Sequence, residues 1–540
     1  MWMLWLALAL VIYFAFGSRV KAAVSFVWTR VLERVIDPAR AGLGGSARFC
    51  GLIEEWAFRW QPHAPSPELP AHLKGWKWWL YGKVLSLMSG EGKGGQIFIG
   101  RSLYNRSLHI GNKDDRHMLT IAGSRAGKGA TCIIPNLLTF EGSVLCIDPK
   151  GINTIVTARR RREMGQKVYI VDPMNLVTKT SDSFNPLEHL DLNSPTLREA
   201  IGVLGDAMVV NDPNNRMGSH WEDGAKTVIN GLVGHLINEP QYRVNGKPPT
   251  PYMIRELIGK RGDEFSALVV DMATSAAKDA AASTAGGRIA RGAGTEEITN
   301  ILGNVDKHTE WLTFPSMRGI METSTFHFSE LKTRPTTIYL VIPPALLELH
   351  NRFLRLFINL AIAQIPNGGK SKIPILFMLD EFLQLGRMNS IPRAFRVLAG
   401  YNFCVWPFVQ ELEGLRKLYD KDTEAFFSNA RGLQVFSVDD EETTTLVSKK
   451  LGKRSMRHVR GVDDTKTNFL REPEEVAKEV ERDRGLQYFM RAGRPTMLLE
   501  RVKYFENPLS PAHVPSIFRP FFKKLYPFAG LYDQDPDYKD

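Results

Sequence analysis

Residues 122–131 read Ala-Gly-Ser-Arg-Ala-Gly-Lys-Gly-Ala-Thr, directly after the apolar run Met118-Leu119-Thr120-Ile121. A strand that opens into a glycine-rich loop, a lysine and a helix start is the layout of a phosphate cradle. Successive backbone N–H groups can surround an anion, and the helix N-terminus adds partial positive charge. On this reading Gly123, Ser124, Arg125, Ala126, Gly127, Lys128, Gly129 and Ala130 surround the phosphate chain of a nucleotide, and Lys128 reaches the β- and γ-phosphates. Two positions depart from the general P-loop pattern. Ala122 stands where the first glycine is expected, and Gly129 replaces the Ser or Thr that normally binds magnesium. Water or Thr131 must then complete the Mg2+ shell, which commonly keeps several waters.

A P-loop needs an acid at the end of a nearby strand. The apolar run Ile375-Leu376-Phe377-Met378-Leu379 supplies it, followed at once by Asp380 and Glu381. Asp380 would hold the magnesium ion, directly or through water, and Glu381 would orient the attacking water. Gln410 follows the run Phe403–Val409, and an amide there could sense the γ-phosphate. Lys128, Asp380, Glu381 and Gln410 are therefore the candidate catalytic set. A further acid ends the strand after the P-loop helix, in Cys146-Ile147-Asp148-Pro149-Lys150-Gly151. Ligands of parallel sheets bind at this carboxyl edge. Asp148 and Lys150 are thus either nucleotide contacts or a turn with a structural ion pair. Arg159-Arg160-Arg161-Arg162 would lie on the next helix, as a solvated face or as a contact for DNA or another subunit.

The elements that must position these groups can be read from hydrophobic spacing. Strand-like runs fall at 118–122, 143–147, 167–171, 337–342, 374–379, 403–409 and 433–438, with helix-like segments between them. This alternation predicts an α/β fold with a mostly parallel, two-sided sheet. Residues 185–310 break the rhythm, with apolar residues at helical spacing in Leu197-Ile201-Leu204 and Val228-Leu232-Leu236. They read as an all-helical insertion. The nucleotide-binding domain then comprises 90–184 and 311–520, with a tail at 521–540.

The N-terminal run Met1–Phe16 has no charged side chain and carries Trp2, Trp5 and Tyr13. It reads as a transmembrane helix over 1–18, near the lower length limit for a span. A secretory signal would need a basic leader and a small-residue cleavage site, and neither is evident. Arg19, Lys21, Arg30, Arg34 and Arg40 follow, so the N-terminus lies outside and the bulk of the chain in the cytoplasm. Residues 19–89 form a membrane-proximal region with a Pro-rich linker near 61–67 and an amphipathic stretch at 76–88. The four cysteines are scattered and form no zinc-like pair, which fits a reducing compartment. A net charge of +11 favours an acidic partner, nucleic acid or an anionic membrane surface.

Several runs taken together resemble the coupling proteins of type IV secretion and conjugation, within the FtsK–HerA superfamily. They are Ser124–Gly129, Ile134-Pro135-Asn136-Leu137-Leu138, Asp148–Gly151, Ser183-Phe184-Asn185-Pro186-Leu187, Trp221 with Ala225, and Phe328–Lys332. Further along come Asp380-Glu381-Phe382 with Leu385-Gly386-Arg387-Met388, then Gln410-Glu411-Leu412 with Leu415 and Tyr419. Glu442-Thr443 and Ser448-Lys449-Lys450-Leu451-Gly452 close the set, which covers roughly residues 110–506. Gly129, odd for a general P-loop, is common in this family. The resemblance implies a RecA-like P-loop NTPase, a membrane-anchored homo-hexamer in the bacterial inner membrane that binds ATP and Mg2+ between subunits. It also implies contact with the inner-membrane components of a secretion channel, and a relaxase–DNA complex or protein effectors as cargo. Three departures stand out. The second membrane helix and long partner-binding tails of relatives have no clear counterpart, and the arginine finger is ambiguous, with Arg393 and Arg396 in the right region. Two other functions share these motifs: an FtsK- or HerA-like pump of double-stranded DNA, and a membrane receptor that binds nucleotide without cycling.

Overall fold

The computed structural model describes residues 97–505, except 104–107, 113–115, 210–217, 244–245 and 457–465. The expected membrane helix at 1–18, the region 19–89 and the tail 521–540 lie outside the described residues. Among the described residues no helix is long and apolar enough to cross a membrane.

Among the described residues thirteen strands form: β1 (Ile97–Ser102), β2 (His109–Asn112), β3 (Met118–Ala122), β4 (Ser143–Ile147), β5 (Lys167–Val171), β6 (Thr336–Leu340), β7 (Ile375–Leu379), β8 (Phe403–Val409), β9 (Gly432–Phe436), β10 (Lys453–Met456), β11 (Lys466–Phe469), β12 (Leu486–Arg491) and β13 (Met497–Glu500). Eleven of them make one sheet in the order β2-β1-β13-β12-β9-β3-β8-β7-β4-β6-β5, and β10 and β11 pair separately. From β9 to β5 every pairing is parallel. The parallel half is the one expected. The flank β2-β1-β13-β12 is antiparallel and was not expected.

The parallel strands are continuous apolar runs because the sheet is covered on both faces. In β3, β4, β6, β7, β8 and β9 every residue is buried. Alternate side chains feed two cores. Leu119, Ile121, Phe377 and Leu379 face a large one that includes the helical segment, while Met118, Ala122, Met378 and Trp406 face a smaller one with Ile133 and Leu137 after the P-loop.

Between β5 and β6 the described residues form helices and no strand, among them Leu197–Met208, Gly218–Asn238, Gly262–Ala273, Ala281–Arg291 and Glu296–Thr309. Leu197, Ile201, Leu204 and Met208 are buried along one stripe of the first. Helix Asn351–Ala363, which precedes β7, shares that core through Phe353, Phe357 and Leu360. The register aligns the carboxyl ends of the parallel strands: Ile121 pairs with Val409 and Val435, Leu379 with Pro407 and Ile147, and Leu340 with Ile147 and Val171. The P-loop, Gln410, Asp380 and Asp148 are therefore all delivered to one edge.

Candidate nucleotide site

The loop after β3 turns tightly before its helix. Ala126 N–H donates to the Gly123 carbonyl at 3.3 Å, and Gly123 N–H donates to Ser437 O at 3.1 Å. A Cβ on Gly123 would stand 2.5 Å from Ser437 O, so only glycine passes this strand end. Gly127 has φ +84°, the left-handed region, which glycine enters without steric cost. Gly129 differs. A Cβ there would meet nothing closer than Asn153 Oδ1 at 3.7 Å, an ordinary contact. Space does not demand glycine at 129; the site simply lacks a hydroxyl.

The helix begins with a π turn, Gly129–Ile133, and continues as Ile134–Thr139. Thr131 N–H donates to Gly127 O at 2.9 Å. The N–H groups of Gly127, Lys128, Gly129 and Ala130 precede it and have no intrahelical acceptor, as at any helix start. They form the mouth of the cradle together with the exposed Ser124 and Arg125. Thr131 does not point there. Its hydroxyl donates to Gly127 O at 2.9 Å and the residue is buried, so it is held by its own helix.

Lys128 is buried, and its Nζ donates to the Ala122 carbonyl at 3.2 Å. Among the described residues it forms no salt bridge, which leaves a cation at the loop ready for an anion. Two strands away on the sheet, Asp380 ends β7 and accepts a hydrogen bond from Glu381 N–H at 3.0 Å. Burial pushes the Asp380 carboxyl up to about 6, the Glu381 carboxylate adds to the rise, and Lys128 opposes it. Glu381 itself sits at φ +49°, a strained conformation for a non-glycine residue, at the first position after the strand acid. Between these strands lies β8, and Gln410 at its end donates from Nε2 to Glu381 Oε2 at 3.0 Å. Gln410, Glu381, Asp380 and Lys128 are thus drawn to one edge.

Asp148 belongs to this edge but is otherwise engaged. Its Oδ2 accepts from Thr154 N–H at 2.8 Å and Thr154 Oγ1 at 2.7 Å, which anchors helix Ile152–Glu163. Burial raises its pKa, and the Thr154 hydrogen bonds oppose the rise. Among the described residues Asp148 forms no ion pair with Lys150, which is exposed beside it. The arginine run also divides. Arg161 is fully buried, contrary to a solvated face, and donates to the carbonyls of Leu137, Phe140 and Gly142 and to Thr337 Oγ1. Arg159 remains half-exposed and pairs with Glu163. Of the two finger candidates, Arg396 Nη2 donates to Asp422 Oδ1 at 2.5 Å, while Arg393 is exposed.

The residue that sequence reading missed is Arg501, after β13. It donates from Nη1 to the Ala126 carbonyl of the loop at 2.6 Å. No local pattern marked it, because its partner lies 375 residues away.

A parallel sheet with a phosphate loop and a strand-end acid at one edge defines a P-loop nucleotide-binding fold. The family model for the type IV secretory system conjugative DNA transfer proteins matches residues 81–483, and the chain belongs to that family. VirD4 of Rhizobium radiobacter is 28% identical over 423 residues, 74% of this chain and 58% of that protein. The type IV secretion system-coupling protein VirD4 of Bartonella quintana is 23% identical, covering 72% of this chain and 63% of that one. The chain thus spans about three-fifths of the length of these relatives. The fold is shared with the conjugative coupling protein TrwBdeltaN70, with a TM-score of 0.60 at 14% identity over 78% of this chain and 92% of that one. A further TrwB structure holds ADP and Mg2+ and gives a TM-score of 0.58 at 15% identity, with the same coverage of each chain.

Proposed function

We propose that the chain is a membrane-anchored ATPase that recruits substrate to a type IV secretion channel and powers its transfer. The observation that carries this reading is the convergence of Lys128, Asp380, Glu381 and Gln410 on one sheet edge, fixed by strand register rather than by local sequence. The residues fit a nucleoside triphosphate: the loop offers free N–H groups, and Lys128 forms no salt bridge among the described residues. They fit Mg2+ less fully, because Thr131 is turned into its helix and Gly129 carries no ligand. Asp380 would then hold the ion largely through water.

ATP with Mg2+ would supply the phosphoanhydride whose cleavage drives movement. The loop amides and Lys128 bind and orient the phosphates. Glu381 positions water, and its hydrogen bond from Gln410 fixes the carboxylate and links it to the next strand. Losing that bond on ATP binding or phosphate loss is the means by which β8 would register the state of the site. Assembly as a homo-hexamer, with Arg393 or Arg396 completing a neighbour's site, belongs to the same proposal. So do an inner-membrane anchor, channel contacts and a cargo of relaxase–DNA or protein effectors.

The weak metal shell favours a second reading, a receptor that binds nucleotide without cycling. Steady-state turnover of the membrane-extracted protein, with and without single-stranded DNA, separates the two. Turnover in the wild type that falls at least a hundred-fold in Lys128→Ala and Glu381→Gln is expected. Background turnover in the wild type under every condition would sink the motor reading.

A further inference from the structure

We propose that Arg501 is a positioning residue of the nucleotide site, a buried cation behind the P-loop that makes the loop receptive to phosphate. The inference deepens the nucleotide-site reading and rests on it.

Arg501 is buried, at 7% exposure, and its contacts are unusual for a buried charge. Nη1 donates to Ala126 O at 2.6 Å and Nη2 to Arg482 O at 2.8 Å. Nε has no hydrogen-bond partner. The guanidinium lies over the Phe436 ring, 4.7 Å from its centroid. Among the described residues no carboxylate pairs with it. The titrating groups that face it are Cys132 and a second arginine, Arg482. A buried guanidinium held only by carbonyls and a ring is costly unless an anion approaches. The P-loop is where an anion would come: a Cβ on Gly127 would stand 4.0 Å from Arg501 Nη1, so the charge sits directly behind the loop backbone.

The hydrogen bond also sets direction. In a trans peptide the C=O and N–H point opposite ways. With the Ala126 carbonyl held toward Arg501, the Gly127 N–H is turned away from it, toward the mouth of the loop. That peptide leads into Gly127, whose left-handed φ of +84° only glycine adopts without steric cost, so no side chain there holds its orientation. Arg501 fixes that peptide from behind. The segment is itself secured: Arg501 N–H donates to Gly485 O at 2.7 Å, and Tyr504 N–H donates to Ala130 O at 3.0 Å, inside the π turn.

Equilibrium binding of ATP and of inorganic pyrophosphate to the full-length, membrane-extracted protein tests this. Arg501→Gln, which keeps a donor and removes the charge, should weaken both at least ten-fold, a change of about 1.4 kcal/mol. Arg501→Lys, which keeps the charge, should bind within about three-fold of wild type. Wild-type affinity in Arg501→Gln, or equal losses in the two variants, would overturn the proposal. So would a lower melting temperature in Arg501→Gln with an unchanged ATP-induced rise, the signature of a packing role. If the variants fail to fold, hydrogen exchange on the wild type decides. Pyrophosphate should protect the amides at 482–485 and 501 together with those at 124–130, and protection confined to the loop would count against Arg501. Lys128→Ala is the control. Retained pyrophosphate binding there removes the nucleotide site itself, whereas its loss beside normal binding in Arg501→Gln removes only the role of Arg501.

Discussion

Asp380 lies between a lysine that favours its charge and a glutamate that opposes it. Its carboxyl, ordinarily near 3.8, is pushed up to about 6 by burial first and by Glu381 second. A carboxyl with a raised folded pKa is favoured in its protonated form by folding. That contribution is complete below about pH 4 and is lost as pH rises through about 6. Magnesium binding, as proposed for Asp380, needs the ionised state, so folding and metal would pull this group in opposite directions, a pattern typical of functional groups. Two outcomes follow at this scale. Without metal, Asp380→Asn should flatten the unfolding free energy against pH between about 4 and 6 and raise it at pH 7 by about 2 kcal/mol, read by denaturant or thermal unfolding. In the wild type, Mg2+-supported nucleotide binding should decline as pH falls through about 6. An unchanged slope in Asp380→Asn would show that another group sets the profile.

Helix Ile152–Glu163 shows what a single buried side chain does for an element. Arg161 crosses from this helix to the carbonyls at 137–142 and to Thr337 on β6, and so closes the P-loop helix, its successor and the sheet into one block. The carbonyls at the end of helix Ile134–Thr139 have no other donor of their own helix. Arg161→Met should therefore cost about 3 kcal/mol, and Arg161→Lys should recover only part, because an ammonium cannot present the guanidinium fork. Thermal melting of the variants measures both, and a loss below about 1 kcal/mol in Arg161→Met would refute the role. The same helix marks the limit of sequence reading, in which a run of four arginines does not say which one turns inward. The parallel strands were legible because burial on both faces demands apolar runs. The expected 118–122, 143–147, 167–171 and 403–409 match β3, β4, β5 and β8 residue for residue. The antiparallel flank was not, because its buried polar residues are satisfied only across strands. Gln434 Nε2 donates to Gln487 Oε1, and Arg101 makes two hydrogen bonds to Glu500, at 3.0 and 2.7 Å. Read singly, such residues argue against a buried strand.

At the scale of the whole molecule the question is how the edge of the sheet reaches the helical segment between β5 and β6. Sequence motifs singled out Lys128, Asp380, Glu381 and Gln410, each beside its own strand, while the strand register brings them to one edge. Residues that join distant parts leave no such mark, and Arg355 is one of them. It lies on helix Asn351–Ala363, is buried, and donates from Nε to Ala207 O at 3.4 Å, near the end of helix Leu197–Met208. Its Nη1 donates to Arg387 O, on the arm that directly follows Asp380-Glu381. That arm is pinned elsewhere as well: Met388 N–H donates to Tyr419 Oη at 3.2 Å, and Arg387 Nη2 donates to Asp422 at 2.5 Å. One guanidinium thus bridges the arm of the site and the helical segment. A displacement of Glu381 on nucleotide binding can pass through this bridge only if the arm has two arrangements. Hydrogen exchange tests that directly. In the wild type, ATP should alter exchange across 197–208 as well as 382–388. In Arg355→Met the change at 382–388 should persist, with affinity within a few-fold of wild type, while the change at 197–208 disappears. The same response at 197–208 in both proteins would mean that the helical segment senses nucleotide by another path, or that the two parts move as one body.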